Sequence, residues 1–291
     1  MDISALQAFI AVARHESFSK ASEQLFVTQP AISKRVASLE DDLGTQLFNR
    51  IARQISLTEA GKQLLPKAQD IVHQAEDMQR YASNLNQEIS GNLSVAIAHH
   101  IGLHRMPPVL REFHLQHPKV TLDIRFEDSD QAYTAVEHGD IEFAVITLPK
   151  TLPDKLTKET VWLDQLDIMV SKNHALAGQS ELSLLSLTKY PCVLTSPDTE
   201  THQVIRREFQ ERGLSINVQM QTNNLETLKM LTVAGLGWSL LPKTMSDKSL
   251  KALDVGLDLS RELGLVIHSK RSLSNAALAL RSLIERDPAL R

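Results

Sequence analysis

Apolar positions recur at helical spacing from the first residues of the chain. Leu6, Phe9, Ile10 and Ala13 predict a helix over about residues 3–14. Phe18, Ala21, Ser22 and Leu25 form the inner face of a short second helix that Ser17 or Ser19 can cap. A third begins at Thr28, where Pro30 is tolerated because its missing N–H has no helical partner in the first turn, and ends at Gly44. Its buried stripe is Ile32, Val36, Leu39 and Leu43. At about 100° per residue Pro30, Lys34, Ala37 and Asp41 point the other way, with Ser33 on the flank. Residues 46–50 and 54–57 read as two short strands, joined by a turn that carries Arg50 and Arg53, before Thr58 caps a further helix.

From Gly61 onward the pattern becomes a heptad. Leu64, Ala68, Ile71, Ala75, Met78, Ala82 and Leu85, followed by Ile89, alternate at spacings of 4 and 3. This predicts one linker helix over 61–90, roughly 45 Å long, which is longer than a compact domain requires. The seam therefore pairs with a second copy of the chain or packs back on its own. Ser90-Gly91-Asn92 ends it.

Beyond Gly91 strands and helices alternate. Strands are expected at 93–99, 120–126, 143–146, 192–195, 216–221 and 238–241, and helices to about 117, at 131–138, 199–212, 225–234 and 273–286. That order implies a parallel sheet packed between helices. It divides into one lobe of about 92–162 plus 268–291 and a second of about 163–267. The whole is multidomain: an all-α winged helix-turn-helix over 1–60, the linker helix over 61–90, and an α/β domain of two lobes over 91–291.

Composition narrows the function. With 42% hydrophobic and 23% charged residues the chain reads as an ordinary globular protein, and no run approaches the roughly 18 apolar residues of a membrane helix. The N-terminus lacks a basic region followed by an apolar core, so no secretory signal is expected and a cytoplasmic location is. Cys192 is the one cysteine, which excludes an intrachain disulfide and a cysteine zinc cluster. The net charge of −4 argues against polyanion binding by the whole surface, and residues 1–62 carry as many acids as bases. Any DNA contact therefore depends on where the charges sit. The third helix separates them: its N-terminal half presents Gln29, Pro30, Ser33 and Lys34, and its C-terminal half Glu40, Asp41 and Asp42, which phosphates would repel. A helix that enters the major groove by its N-terminal turns has this polarity, although an ordinary surface helix can have it too.

Ser19-Lys-Ala-Ser-Glu-Gln-Leu25, Thr28-Gln-Pro-Ala-Ile-Ser33, Leu39-Glu40, Leu43-Gly44, Leu47-Phe48, Arg50 and Leu57-Thr-Glu-Ala-Gly61 together resemble the LysR-type transcriptional regulators. The resemblance covers the first sixty residues almost without gaps. It implies that Thr28, Gln29, Pro30, Ser33 and Lys34 lie at the groove of double-stranded DNA, with Arg50 and Arg53 near the backbone; Arg35 faces sideways on the helical wheel and is expected to contact a phosphate from there. It also favours pairing of the linker helices on a dyad-symmetric operator, a tetramer of two dimers, and contact with RNA polymerase if the protein activates. Gly139 with Glu142 and Phe143-Ala-Val-Ile146, and Gly235-Leu-Gly-Trp-Ser-Leu-Leu-Pro242, resemble the periplasmic-binding-protein-like effector domain of that family. The family more often has Asp where Glu142 stands.

In such a fold the ligand sits where strands end and helices begin, because free helix N–H groups point there. His99, His100, Ile101 and Gly102 follow one strand, and Thr195 and Ser196 follow another. Asp128, Thr147, Thr222 and Asn223 can complete the wall. Two opposed helix N-termini with hydroxyl groups suit a carboxylate, so the expected effector is a small organic acid, unless those hydroxyls only cap their own helices. His100 and His104 stand four apart, as zinc ligands can, but no carboxylate or cysteine nearby completes a site. Effector contact or packing remain for them. No metal, cofactor or catalytic activity is expected: neither a Gly-x-Ser-x-Gly elbow nor a Gly-rich phosphate loop is present. A solute-binding protein with an N-terminal extension is the alternative outside this class.

Overall fold

The computed structural model describes residues 1–51, 54–85 and 89–286, with the backbone alone at 50, 51, 54 and 83. The chain divides into two compact units, Met1–Asn86 and Gln87–Arg291.

The first unit comprises α1 (Ile3–His15), α2 (Phe18–Gln24), α3 (Gln29–Leu43), the hairpin β1 (Phe48–Ile51) and β2 (Gln54–Leu57), and α4 (Glu59–Asn84). Asp2 caps α1 by accepting the Ser4 N–H, and Ser17 caps α2 by accepting that of Lys20. Phe9, Phe18 and Phe48 meet edge to face at the centre of the core, with ring centroids 5.5 and 5.9 Å apart. Ile32, Val36 and Leu39 are fully buried there, but Leu43 is exposed, so the stripe on α3 ends one turn early. Gly44 closes α3 at φ +65, where a side chain would be strained. Gly61 is needed for a different reason: a Cβ there would lie 2.3 Å from the Leu47 carbonyl oxygen, so α4 could not start against the hairpin.

The linker helix is shorter than the heptad pattern suggested, ending at Asn84 rather than near residue 90. Its first turns belong to the core of their own chain. Ala68 and Val72 are buried there, so Ala68 is not available to a partner, and Leu64 and Leu65 are half-buried against the same core. Ala75 is half-buried, whereas Ile71, Met78, Ala82 and Leu85 are exposed together with Tyr81. Pro66 lies inside the helix and has no N–H to donate to the Lys62 carbonyl.

The second unit contains β3 (Gly91–Ala98), α5 (His99–His104), α6 (Met106–Gln116), β4 (Val120–Glu127), α7 (Ser129–His138), β5 (Phe143–Thr147), β6 (Leu156–Ser171), α8 (Leu184–Leu187), β7 (Cys192–Leu194), α9 (Glu200–Glu211), β8 (Val218–Gln221), α10 (Leu225–Val233), β9 (Ser239–Pro242), β10 (Leu250–Leu253), β11 (Leu259–His268) and α11 (Asn275–Glu285). The single helix expected after the first strand is two, broken at Arg105, because Pro107 and Pro108 at the start of α6 cannot donate. The sheets are mixed rather than parallel. Strands β4, β3 and β5 run parallel, but β11 pairs antiparallel with both β5 and β6, as β9 and β10 do with β6. Strands β7 and β8 form a separate parallel pair.

Strands β6 and β11 build two lobes from one chain. Residues 93–162 and 263–284 supply one buried core, and residues 166–259 supply the cores of the other lobe. The changeover falls at a β-bulge, where Leu263 pairs with Trp162 but Gly264 with Thr160, leaving Val161 as the extra residue. The chain thus returns to the first lobe at about residue 263, a few residues before the expected 268. Glu142 accepts hydrogen bonds from the Ser274 N–H at 2.7 Å and its hydroxyl at 3.0 Å, which fixes the residue that caps α11.

Candidate functional sites

In the first unit the N-terminal end of α3 is open. Thr28 holds the N-cap position with extended backbone, but its hydroxyl accepts no helix N–H. Thr28, Gln29, Pro30 and Lys34 are exposed, Ser33 is half-buried, and Gln29 Nε2 donates to Ser33 Oγ at 3.3 Å. An exposed helix start with free N–H groups and a lysine one turn on is an anion-accepting surface. Phe26, in the turn before it, is 95% exposed and adopts a left-handed φ of 52°. Arg35 is half-buried, and its charge adds to the Ser4 hydrogen bonds that hold the Asp2 carboxyl below its usual pKa. Arg53 and the side chain of Arg50 lie outside the described residues.

Glu40 is not part of the outer face. It is buried, and one carboxylate oxygen accepts the Leu47 N–H at 2.7 Å and the Phe48 N–H at 3.3 Å. It therefore ties the hairpin to α3, leaving Asp41 and Asp42 as the exposed acids, with Asp42 paired to the N-terminal amine.

In the second unit the two lobes enclose a cavity of about 180 Å³. Strands β3, β4, β5, β7 and β8 all end around it, and α7, α9 and α10 begin there, so several sets of free helix N–H groups converge. His99, His100, Asp128, Thr147, Thr195 and Asn223 line it, as expected. The other four expected residues do not. Ile101 is fully buried in the first lobe's core because it is on the inner side of α5, and Gly102 lies against the Phe126 ring. The Thr222 hydroxyl accepts the Asn224 N–H, and the Ser196 N–H donates to Asn223 Oδ1 at 3.0 Å, so both serve the local chain path.

The cavity floor holds a group that the sequence pattern did not reveal. Arg261 is buried, with Nε 3.0 Å and Nη2 2.9 Å from the same Asp164 oxygen, and Nη1 donating to Thr201 Oγ1 at 2.5 Å. Nη2 makes no hydrogen bond despite that approach, since one oxygen cannot be well aligned with both nitrogens. Asp164 is buried too, and Arg105 reaches its other oxygen at 3.4 Å while lying 5.4 Å above the Trp162 ring. Two guanidinium groups share one carboxylate, so the floor carries one unbalanced positive charge. His100 Nε2 is buried without a hydrogen-bond partner. Burial first, then Arg261 and the neighbouring bases, hold its pKa well below the usual 6.5, so the ring is neutral.

Thr195 and Thr199 shape the opposite wall. Their hydroxyls are 2.7 Å apart, Thr199 accepts the His202 N–H and so caps α9, and His202 Nδ1 donates to the Thr195 carbonyl at 2.7 Å. Hydrogen bonds that cross between the lobes include Asn223 Nδ2 to Asp128 Oδ2 at 3.0 Å, His104 Nε2 to Glu226 Oε1 at 2.8 Å, and the Lys150 N–H to Glu200 Oε1 at 2.9 Å. His104 is thus turned to Glu226 and not to His100. Among the described residues no group of three or more His, Cys, Asp or Glu side chains is placed to hold a metal ion. Cys192 is buried, its thiol pushed up to about 12 by burial, and donates to the Asn217 carbonyl. No helix of the described residues is long and apolar enough to cross a membrane.

This arrangement, a winged helix-turn-helix unit and a two-lobed unit with a cleft, defines a ligand-responsive DNA-binding protein. Residues 3–62 match the bacterial regulatory helix-turn-helix proteins of the lysR family, and residues 86–288 match the LysR substrate binding domain. The chain belongs to the LysR family. It is a DNA-binding transcriptional regulator with an effector-binding domain, not an enzyme. It is 28% identical over 285 residues to a RuBisCO operon transcriptional regulator of Allochromatium vinosum, spanning 96% of this chain and 94% of the relative. A helix-turn-helix transcriptional regulator from the ibpB-leuC intergenic region of Azotobacter vinelandii is 55% identical over 108 residues, 37% of this chain and 75% of the relative. The fold is shared with a full-length OxyR variant from Pseudomonas aeruginosa (TM-score 0.72, 20% identity, 100% of each chain). It is also shared with full-length CbnR solved with its target DNA (TM-score 0.63, 21% identity, 99% of this chain and 100% of that one).

Proposed function

We propose that the interlobe cavity binds a small effector through an anionic group, and that its occupancy controls the DNA binding or activation of the regulator. The observation that carries this reading is Arg261, a buried guanidinium in the cavity lining whose Nη2 makes no hydrogen bond of its own. A carboxylate placed there meets the Arg261 guanidinium and the free N–H groups at the start of α9, and receives the Thr195 hydroxyl once that O–H turns away from Thr199. An effector gripping both lobes shifts the equilibrium between open and closed arrangements by its differential affinity for them, with the bulge at Val161 as the place where the crossing strands give.

On the DNA side Thr28, Gln29, Pro30, Ser33 and Lys34 enter the major groove, and Arg35, Arg50 and Arg53 approach the phosphates. The exposed apolar residues in the later turns of α4, Ile71, Met78, Ala82 and Leu85, pair with those of a second chain, with Ala75 at the edge of that seam. The dimer meets a dyad-symmetric operator in the cytoplasm, two dimers form a tetramer, and an activating role would add contact with RNA polymerase. Titration of the full chain with small carboxylic acids, read by melting temperature, tests the effector site. Binding that weakens at least tenfold in Thr195→Val is expected. Tight anion binding unchanged by Thr195→Val and by Arg261→Lys would place the effector elsewhere.

A further inference from the structure

The charge around the cavity is lopsided in a way a simple acid does not answer. Among the described residues Arg261 is the one guanidinium in its lining, with Arg105 behind Asp164, but five carboxylates also line it, and of these Glu200 feels a nearby lysine, Lys158. Glu127, Asp128 and Asp130 come from the first lobe, and Asp198 and Glu200 from the second. Two of the five have an acceptor role: Asp128 receives Asn223, and Glu200 receives the Lys150 N–H. Among the described residues the carboxylates of Glu127, Asp130 and Asp198 have no side-chain partner. A helix start favours an acid in its first turn, which accounts for Asp130 and Glu200 singly. It does not account for acids from two lobes facing one cavity.

We infer that the effector is amphoteric: a small molecule with one carboxylate and one ammonium group, of the size and type of an amino acid. The inference rests on the cavity being the effector site and names the ligand class. The carboxylate sits on Arg261 and Thr195, beside His100, and the ammonium group lies towards the rim between Asp128 or Asp130 on one side and Asp198 on the other. An ammonium group there relieves the repulsion between acids on the two lobes, an effect felt only when the lobes are together, so the amine is the part that favours closure. A dicarboxylate brings its second charge to the same acids and is rejected. Size agrees: a cavity of about 150 Å³ holds a molecule as large as benzene, and this one is about 180 Å³.

The test uses the full chain and the standard amino acids, each beside its deaminated and N-acetylated counterparts, with succinate and glutarate as dicarboxylates, by calorimetry and melting temperature. At least one amino acid is expected to bind more than tenfold tighter than both its counterparts and both dicarboxylates. Asp130→Asn with Asp198→Asn should erase that preference while leaving the deaminated acid's affinity unchanged or improved. A deaminated acid or a dicarboxylate that binds as tightly as any amino acid would overturn the inference and leave the carboxylate site standing. Binding by no member at millimolar concentration would overturn both.

Discussion

Thr199 and Thr28 both hold helix N-cap positions, and they are used in opposite ways. Thr199 commits its hydroxyl to the His202 N–H, the Ser196 carbonyl and the Thr195 hydroxyl, so the start of α9 is fixed before any ligand arrives. Thr28 commits its hydroxyl to no helix N–H, and the start of α3 stands open at the surface. The difference fits the roles proposed for the two ends. A small ligand in a closed cavity offers few atoms, and affinity depends on a wall that is ordered in advance. A DNA backbone offers phosphates along its whole length, and an uncommitted hydroxyl with free N–H groups can accept one at the moment of docking.

The strongest way to break this contrast is to disorder the prearranged side. Asp164→Ala leaves the buried Arg261 and the half-buried Arg105 without their shared carboxylate and should cost about 3–5 kcal/mol. Urea unfolding followed by tryptophan fluorescence would report it, since Trp162 and Trp238 both lie in the second unit. A loss below about 1 kcal/mol would mean that the pair is solvated. In the first unit Glu40→Ala removes the acceptor of two backbone N–H groups and should cost about 2 kcal/mol. Its signature is weaker DNA binding with a flatter salt dependence, because the hairpin that carries Arg50 and Arg53 is misplaced.

The threonines themselves come next. Thr199→Val should destabilise by about 1 kcal/mol through the lost cap, whereas Thr28→Val should alter the melting temperature little and weaken operator binding severalfold in a gel-shift titration. Equal stability losses in the two variants would erase the distinction. The smallest effect concerns acid. His100 has its folded-state pKa below the unfolded value, so the unfolded chain takes up the proton more readily. Stability is therefore full above about pH 6.5 and declines as pH falls below it. His100→Gln should flatten that acid limb in a series of melts from pH 8 to pH 5.

The two sites were not equally legible in the residues. The helix-turn-helix occupies one continuous stretch in which every element has ordinary spacing, so helices, turn and outer face followed from periodicity. Glu40 escaped because a helical wheel places it beside Asp41, and only the tertiary fold brings the hairpin N–H groups to it. The cavity is assembled from segments between Ala98 and Arg261, and the strand ends with hydroxyl and histidine side chains were readable as such. Its floor was not. Strand β6 serves two cores, and Val161 and Trp162 are buried side by side at the bulge, which breaks the alternation that marks a strand. With β6 and β11 unread, nothing placed Arg261 opposite Asp164, although those residues are register partners. One cue did exist: Arg261 alternates with Leu259 and Leu263, so an arginine occupies an inward position on an apolar strand. The heptad seam shows the reverse error, because periodicity alone cannot tell a partner's surface from the chain's own core at Ala68.

The return of β11 and α11 to the first lobe has a consequence for synthesis. Everything the DNA-binding core buries lies within residues 5–72, so that unit can fold while most of the chain is still unmade. The first lobe cannot: its core stays open until residues 263–284 have been made and have crossed the sheet. A chain cut short anywhere in the second lobe therefore has a reader of DNA without a working sensor. Such a fragment is expected to bind DNA without responding to effector and, with an apolar face uncovered, to be cut by protease faster than the full chain.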